Sequence, residues 1–172
     1  MTLKRCFPPV ADEHTRVLIL GSLPGEASLA QGQYYAHPQN RFWRLMSDLL
    51  EIDLVRLAYA ERLRALLAHH VGLWDVVAEA RREGSLDSRI RDPAGNDLAR
   101  LVAALPALRA IAFNGGTAAR LGGRALAQHG VAHALLALPS SSPAYTLAYA
   151  EKLAAWQAVL PWLDAPVRNE KQ

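Results

Sequence analysis

The chain has one cysteine, Cys6, in 172 residues. That excludes an intramolecular disulfide, a thiolate zinc site and a four-cysteine iron–sulfur cluster, and no metal or other cofactor is expected. Cys6 sits before the first apolar run, a poor place for a nucleophile. No stretch of about 18 apolar residues and no basic-then-apolar leader pattern occurs. The expectation is a soluble, cytoplasmic protein without a membrane partner. Lysine is scarce: Lys4, Lys152 and Lys171 are the only three, and sixteen of the nineteen basic residues are arginine. A net charge of +3 permits contact with a phosphate backbone without requiring it. Arginine suits phosphate, and G·C-rich coding produces the same bias. There is no GxxxxGK[ST] phosphate loop, no GxGxxG fingerprint, no internal repeat and no low-complexity segment.

What is present is one sizeable core, with 51% hydrophobic residues. Residues 1–15 read as an irregular lead-in broken by Pro8-Pro9. Apolar runs at 16–21, 107–113 and 134–138 read as strands, and the short run at 71–77 as a strand or a turn leading into one. Helical periodicity covers 40–51, 55–68, 98–105, 117–128 and 145–160, with Gly122-Gly123 expected to weaken or break the fourth. Residues 79–96 read as a long polar loop, and 165–172 as a frayed, disordered tail. Strands that are solidly apolar and alternate with helices predict a parallel sheet covered on both faces. The expected fold is therefore α/β: a three-layer α/β/α sandwich around a mainly parallel four-stranded sheet, in one domain over 16–164. Nothing demands more than a monomer.

Three polar loops then fall at one sheet edge: 21–40, 114–116 and 139–143. In open α/β sheets ligands bind at the carboxyl ends of the strands. The first loop is the densest. It runs Gly21-Ser22-Leu23-Pro24-Gly25 and continues to Gln33-Tyr34-Tyr35-Ala36-His37-Pro38-Gln39-Asn40-Arg41-Phe42-Trp43, and it points to a pocket for something flat and polar.

This loop resembles the first motif of the uracil-DNA glycosylase superfamily, most closely in its DNA-deoxyinosine (hypoxanthine-DNA) glycosylase family. Leu73-Trp74-Asp75-Val76-Val77, Gly84-Ser85-Leu86-Asp87-Ser88-Arg89-Ile90 and Phe113-Asn114-Gly115 agree in order. Leu138-Pro139-Ser140-Ser141-Ser142-Pro143-Ala144 resembles the second motif. The departures are informative. Leu23 stands where mismatch-specific uracil enzymes carry asparagine, no acid stands at 22–24, and Leu138 replaces the histidine that opens the classical second motif. The resemblance implies a hydrolase that starts base-excision repair of deaminated adenine in DNA, with Asn40 as its catalytic residue.

An asparagine is a poor base, but its amide can orient a water. Asn40 equally suits an N-cap of the helix that starts there. Of the tandem tyrosines, one is expected to face the pocket and the other the core. Tyr35 is the chosen platform for the flipped base. Gly21, Ser22, Leu23, His37 and Asn114 are expected to bind substrate. His37 alternatively braces its loop, and Asn114 alternatively serves a turn. Asn114 presents a donor and an acceptor that match N1–H and O6 of hypoxanthine, or N3–H and O4 of uracil. Pro139, Ser140, Ser141, Ser142 and Tyr145 are expected at the DNA backbone or in the gap left by the base. Arg81, Arg82, Arg89 and Arg91 are candidates for the DNA face, and Asp87 for pairing with an arginine. All three lysines lie outside the motifs, so no amine nucleophile is expected and the reaction stops at an abasic site. The alternatives are a uracil or mismatch glycosylase and a non-catalytic nucleic-acid-binding module.

Overall fold

The computed structural model describes residues 3–164; the tail at 165–172 lies outside them. In chain order the elements are β1 (Leu3–Arg5), β2 (Val17–Gly21), α1 (Glu26–Gln31), α2 (Phe42–Leu50), α3 (Tyr59–Ala68), β3 (Val71–Asp75), β4 (Val77–Arg81), β5 (Arg91–Gly95), α4 (Leu98–Ala103), β6 (Ala110–Asn114), α5 (Gly116–Gln128), β7 (Ala134–Leu138), α6 (Tyr149–Trp156) and α7 (Leu160–Leu163).

The central sheet has the order β3-β2-β6-β7, and every pairing in it is parallel. The run Val17-Leu18-Ile19-Leu20 is fully buried because β2 is a central strand covered on both faces. Val17 and Ile19 face a core with Phe42, Leu45, Met46 and Trp156. Leu18 and Leu20 face the opposite core, with Leu98, Val102, Ala118 and Leu126. Each such side chain contributes roughly 1.5–3 kcal/mol by burial. This is the expected three-layer α/β/α arrangement with a four-stranded parallel sheet.

A second sheet, antiparallel and ordered β1-β4-β5, was not anticipated. Two sequence-based expectations change with it. Part of the lead-in is a strand, with Leu3 opposite Arg81 and Arg5 opposite Glu79. The polar segment 79–96 supplies most of the other two strands. These strands are charged and carry little apolar alternation, so periodicity does not reveal them.

Three helix expectations also change. A short helix, α1, lies within the motif loop and ends at Gly32 with φ +65°. The α5 helix runs unbroken through Gly122-Gly123. A Cβ at Gly122 would lie 2.5 Å from the Phe113 ring, so this glycine sets close helix–sheet packing and not a break. Finally, 145–160 starts as helix only at Tyr149, and a 3₁₀ turn at Gln157–Val159 leads into α7.

Candidate active site

Parallel strands place their carboxyl ends along one edge. Gly21, Asp75, Asn114 and Leu138 are the last residues of β2, β3, β6 and β7, with Gly21 opposite Asp75 and Asn114 opposite Leu138. A pocket of about 420 Å³ opens above them. Gly21, Ser22, Leu23, Tyr35, His37, Asn40, Asn114, Ser140, Ser141, Ser142 and Tyr145 all line it. Of the expected site residues only Pro139 does not; its carbonyl accepts the indole N–H of Trp156 at 2.8 Å and anchors the loop to α6.

Both tyrosines border the pocket, and they lie in a turn, not in an extended segment, so strict alternation does not separate them. Tyr34 is in the core, its hydroxyl donating to the Pro8 carbonyl. Tyr35, at φ +54°, stacks on Phe42 with ring centroids 4.0 Å apart. The Tyr35 hydroxyl is buried without a hydrogen-bond partner among the described residues. Burial pushes its pKa well up, with Asp75 adding to the effect and the Asn114 amide opposing it.

Asn40 does not occupy the N-cap of α2, which is Arg41. Its Oδ1 nevertheless accepts the Phe42 N–H at 3.0 Å and covers one of the free amides at the helix start. This fixes the side chain while its Nδ2 remains available. The Arg41 N–H donates to the Ser141 carbonyl at 3.0 Å and ties the end of the first loop to the second-motif loop. Around His37, the Nδ1 accepts the Gln39 N–H, so the ring braces its own loop.

Asn114 turns out to be a scaffold. Its Oδ1 accepts the Ser141 N–H and its Nδ2 donates to the Ser141 hydroxyl, both at 2.9 Å and both buried. One lone pair and one N–H of the amide remain. Gly115 follows at φ +100°, with Ser140 packed against it, so the loops after β6 and β7 are fixed to each other.

One group on the pocket floor escaped the sequence reading, and a second, beneath the first motif loop, was misplaced by it. Asp75 is 3% exposed, and its Oδ2 has no partner among the described residues. Burial, reinforced by Asp87 and opposed by Arg82, pushes its pKa up to about 7. A Cβ at Gly21 would lie 2.6 Å from Asp75 Oδ1 and 3.0 Å from the Tyr35 hydroxyl, so glycine is what lets these two groups converge on the pocket floor. The available signal was a carboxylate at the last position of an apolar run.

The second is Arg82, expected on the DNA face but 1% exposed. Its guanidinium donates to the carbonyls of Leu23 (3.4 Å), Gly84 (3.0 Å) and Pro24. Asp87 lies 3.9 Å from it and accepts the Ser22 hydroxyl at 2.6 Å. The small sheet thus clamps the first motif loop from below. Leu23 packs against Val77 and Ala80 in a minor core of its own. Arg81, Arg89 and Arg91 are exposed.

Lys152 reaches the second-motif loop from outside it. It is remote from the motifs in sequence, yet its Nζ donates to the Ser142 carbonyl at 3.1 Å. Cys6 lies outside the pocket, and burial raises its thiol pKa, the reverse of activation.

This pocket lies at the carboxyl edge of a parallel sheet and is lined mainly by the two loops that carried the motif resemblance. The profile of the Uracil DNA glycosylase superfamily matches residues 8–165. The chain belongs to the uracil DNA glycosylase superfamily. It is similar to a hypoxanthine DNA glycosylase of Methanosarcina acetivorans, 41% identical over 157 residues, which span 91% of this chain and 98% of that protein. A hypoxanthine DNA glycosylase of Methanosarcina barkeri is 46% identical over 112 residues, 65% of this chain and 71% of the relative. A solution NMR structure of a candidate uracil DNA glycosylase from M. acetivorans superimposes with a TM-score of 0.84 at 40% identity, covering 95% of this chain and all of the other. The superfamily resemblance carried by the motifs, and its narrowing to the hypoxanthine branch, are borne out. Among the described residues no helix is long and apolar enough to cross a membrane.

Proposed function

We propose that this protein is a monofunctional DNA glycosylase that hydrolyses the N-glycosidic bond of deoxyinosine in DNA, acting as a monomer in the cytoplasm. The observation that carries the reading is the pocket wall. Its first loop contributes Asn40 and no acid, while the floor holds a buried, unpartnered carboxyl at Asp75.

The base must leave the duplex, at a cost of a few kcal/mol that is lower for a mispair such as hypoxanthine makes. Phe42 covers one face of Tyr35, and the flipped base takes the other. A protonated Asp75 offers a donor and an acceptor on one group, which match O6 and N1–H of hypoxanthine. The free N–H of Asn114 assists. Asn40 holds a water against C1′. The water oxygen bonds to C1′ as the bond to N9 breaks, and the water's proton ends on the departing base. The products are free hypoxanthine and an abasic site. Lys152 is held by the Ser142 carbonyl and is not an attacking amine.

The test uses oligonucleotides carrying a single deoxyinosine, deoxyuridine or deoxyxanthosine, with alkali to cut at abasic sites. Strand cleavage at inosine is expected. No cleavage of any substrate would overturn the enzyme reading. Cleavage at uracil with none at inosine would establish a second reading, a uracil glycosylase, because N3–H and O4 of uracil present the same pair to Asp75.

A further inference from the structure

A second hollow, of about 350 Å³, adjoins the base pocket and shares Pro143 and Tyr145 with it. Arg41, Lys152 and Gln39 stand on its walls. Lys152 is 3% exposed, and its Nζ lies 5.6 Å from the centre of the Tyr145 ring. A buried ammonium is costly unless it is paired. Yet among the described residues no carboxylate lies within 4 Å of Lys152 or Arg41. The nearby acid on α2, Asp48, is taken by the Tyr149 hydroxyl. Arg44 stacks its guanidinium 3.8 Å above the ring of Tyr149, itself a wall of the hollow. Burial and the charge of Arg41 together pull the Lys152 ammonium below its ordinary pKa, as two cations without a counterion require.

The hollow lacks an anion, and its position says which one. A nucleotide flipped into the base pocket carries a phosphate on each side of its sugar, and only Pro143 and Tyr145 stand between that pocket and the hollow. We propose that this hollow is a phosphodiester subsite, in which Arg41 and Lys152 hold the backbone phosphate next to the flipped nucleotide. The proposal rests on the DNA glycosylase reading. It also explains why Lys152 is buried at the foot of the second-motif loop: it sets the loop through the Ser142 carbonyl and turns its remaining donors to the phosphate.

The test is equilibrium binding to a duplex containing 2′-fluoro-deoxyinosine, which resists cleavage, across a range of NaCl. Wild type, Arg41→Gln and Lys152→Met are compared. Each variant is expected to bind more weakly and to lower the salt slope by about 0.9, the value of one phosphate contact. Replacing the phosphates flanking the lesion one at a time by uncharged methylphosphonate locates the contact. At one position the wild type should lose affinity while Arg41→Gln loses no more. Arg41 is exposed, so its variant reports even if Lys152→Met fails to fold. Unchanged slopes in Arg41→Gln, or additive losses at every methylphosphonate position, would overturn the proposal. So would titration of wild type with inorganic phosphate alone giving millimolar-or-tighter binding while the DNA slopes stay equal, which marks a free-phosphate site. Cleavage of an unmodified inosine duplex by wild type is measured in parallel, so failure of the subsite and failure of the glycosylase reading are told apart.

Discussion

Asp75→Asn should stabilise the protein, and the gain should depend on pH in a defined direction. The carboxyl is buried with a pKa of about 7 in the folded state, against about 4 in an unfolded chain. Below pH 4 both states are protonated and the residue is neutral to stability. Between pH 4 and pH 7 the unfolded state ionises while the folded state keeps its proton. The folded state then binds more protons, so stability falls as pH rises, and the loss is complete above pH 7. At roughly 1.4 kcal/mol per tenfold change in proton affinity, the full cost is about 4 kcal/mol. That is a large share of a typical 5–15 kcal/mol. Asparagine keeps the shape and cannot ionise. Urea unfolding of both proteins at pH 4, 5, 6, 7 and 8 gives the difference profile. It should be near zero at pH 4 and approach about 4 kcal/mol at pH 8, equivalent to a melting gap of about 8–16 °C for a chain of this size. Parallel profiles would refute the reasoning and place an ionised, compensated carboxylate at position 75.

Other substitutions probe the site's supports. Gly21→Ala places a methyl 2.6 Å from Asp75 Oδ1; it should cost about 1–3 kcal/mol by overpacking and lower excision at least tenfold. Wild-type melting and activity together would contradict it. Arg82→Met leaves the Leu23 and Pro24 carbonyls without their buried donor and Asp87 without its ion-pair partner. A loss of about 2–4 kcal/mol in urea unfolding is expected from the unsatisfied groups, with a raised KM as the motif loop loosens. An unchanged KM would remove Arg82 from its positioning role.

The parts legible in the sequence were those decided by burial on both faces of the sheet. The runs at β2, β3 and β6 are apolar because each is a covered parallel strand; β7 falls on Ala134–Leu138 as expected, although as an edge strand it leaves Leu135 exposed. The Gly21–Trp43 loop was legible because glycines, prolines and tyrosines crowd beyond a strand end. What escaped depends on distant partners. The β1 and β4 strands pair residues such as Arg5 and Glu79, whose polar faces leave no period-two signal. Arg82 belongs to a run of charge that reads as surface, yet three backbone carbonyls and Asp87 accommodate it in the interior. Asp75 and Lys152 gain their significance only from neighbours that the fold delivers.

The most direct measurement of the central claim is single-turnover excision of hypoxanthine from an inosine duplex by wild type and Asn40→Ala, with binding of both measured on the uncleavable 2′-fluoro duplex. The account predicts release of free hypoxanthine by wild type. It also predicts a loss of at least a hundredfold in the variant's rate, with DNA affinity within a few-fold of wild type. Near-normal excision by Asn40→Ala would contradict the assignment of the water to Asn40, and an absence of hypoxanthine release by wild type would contradict the function itself.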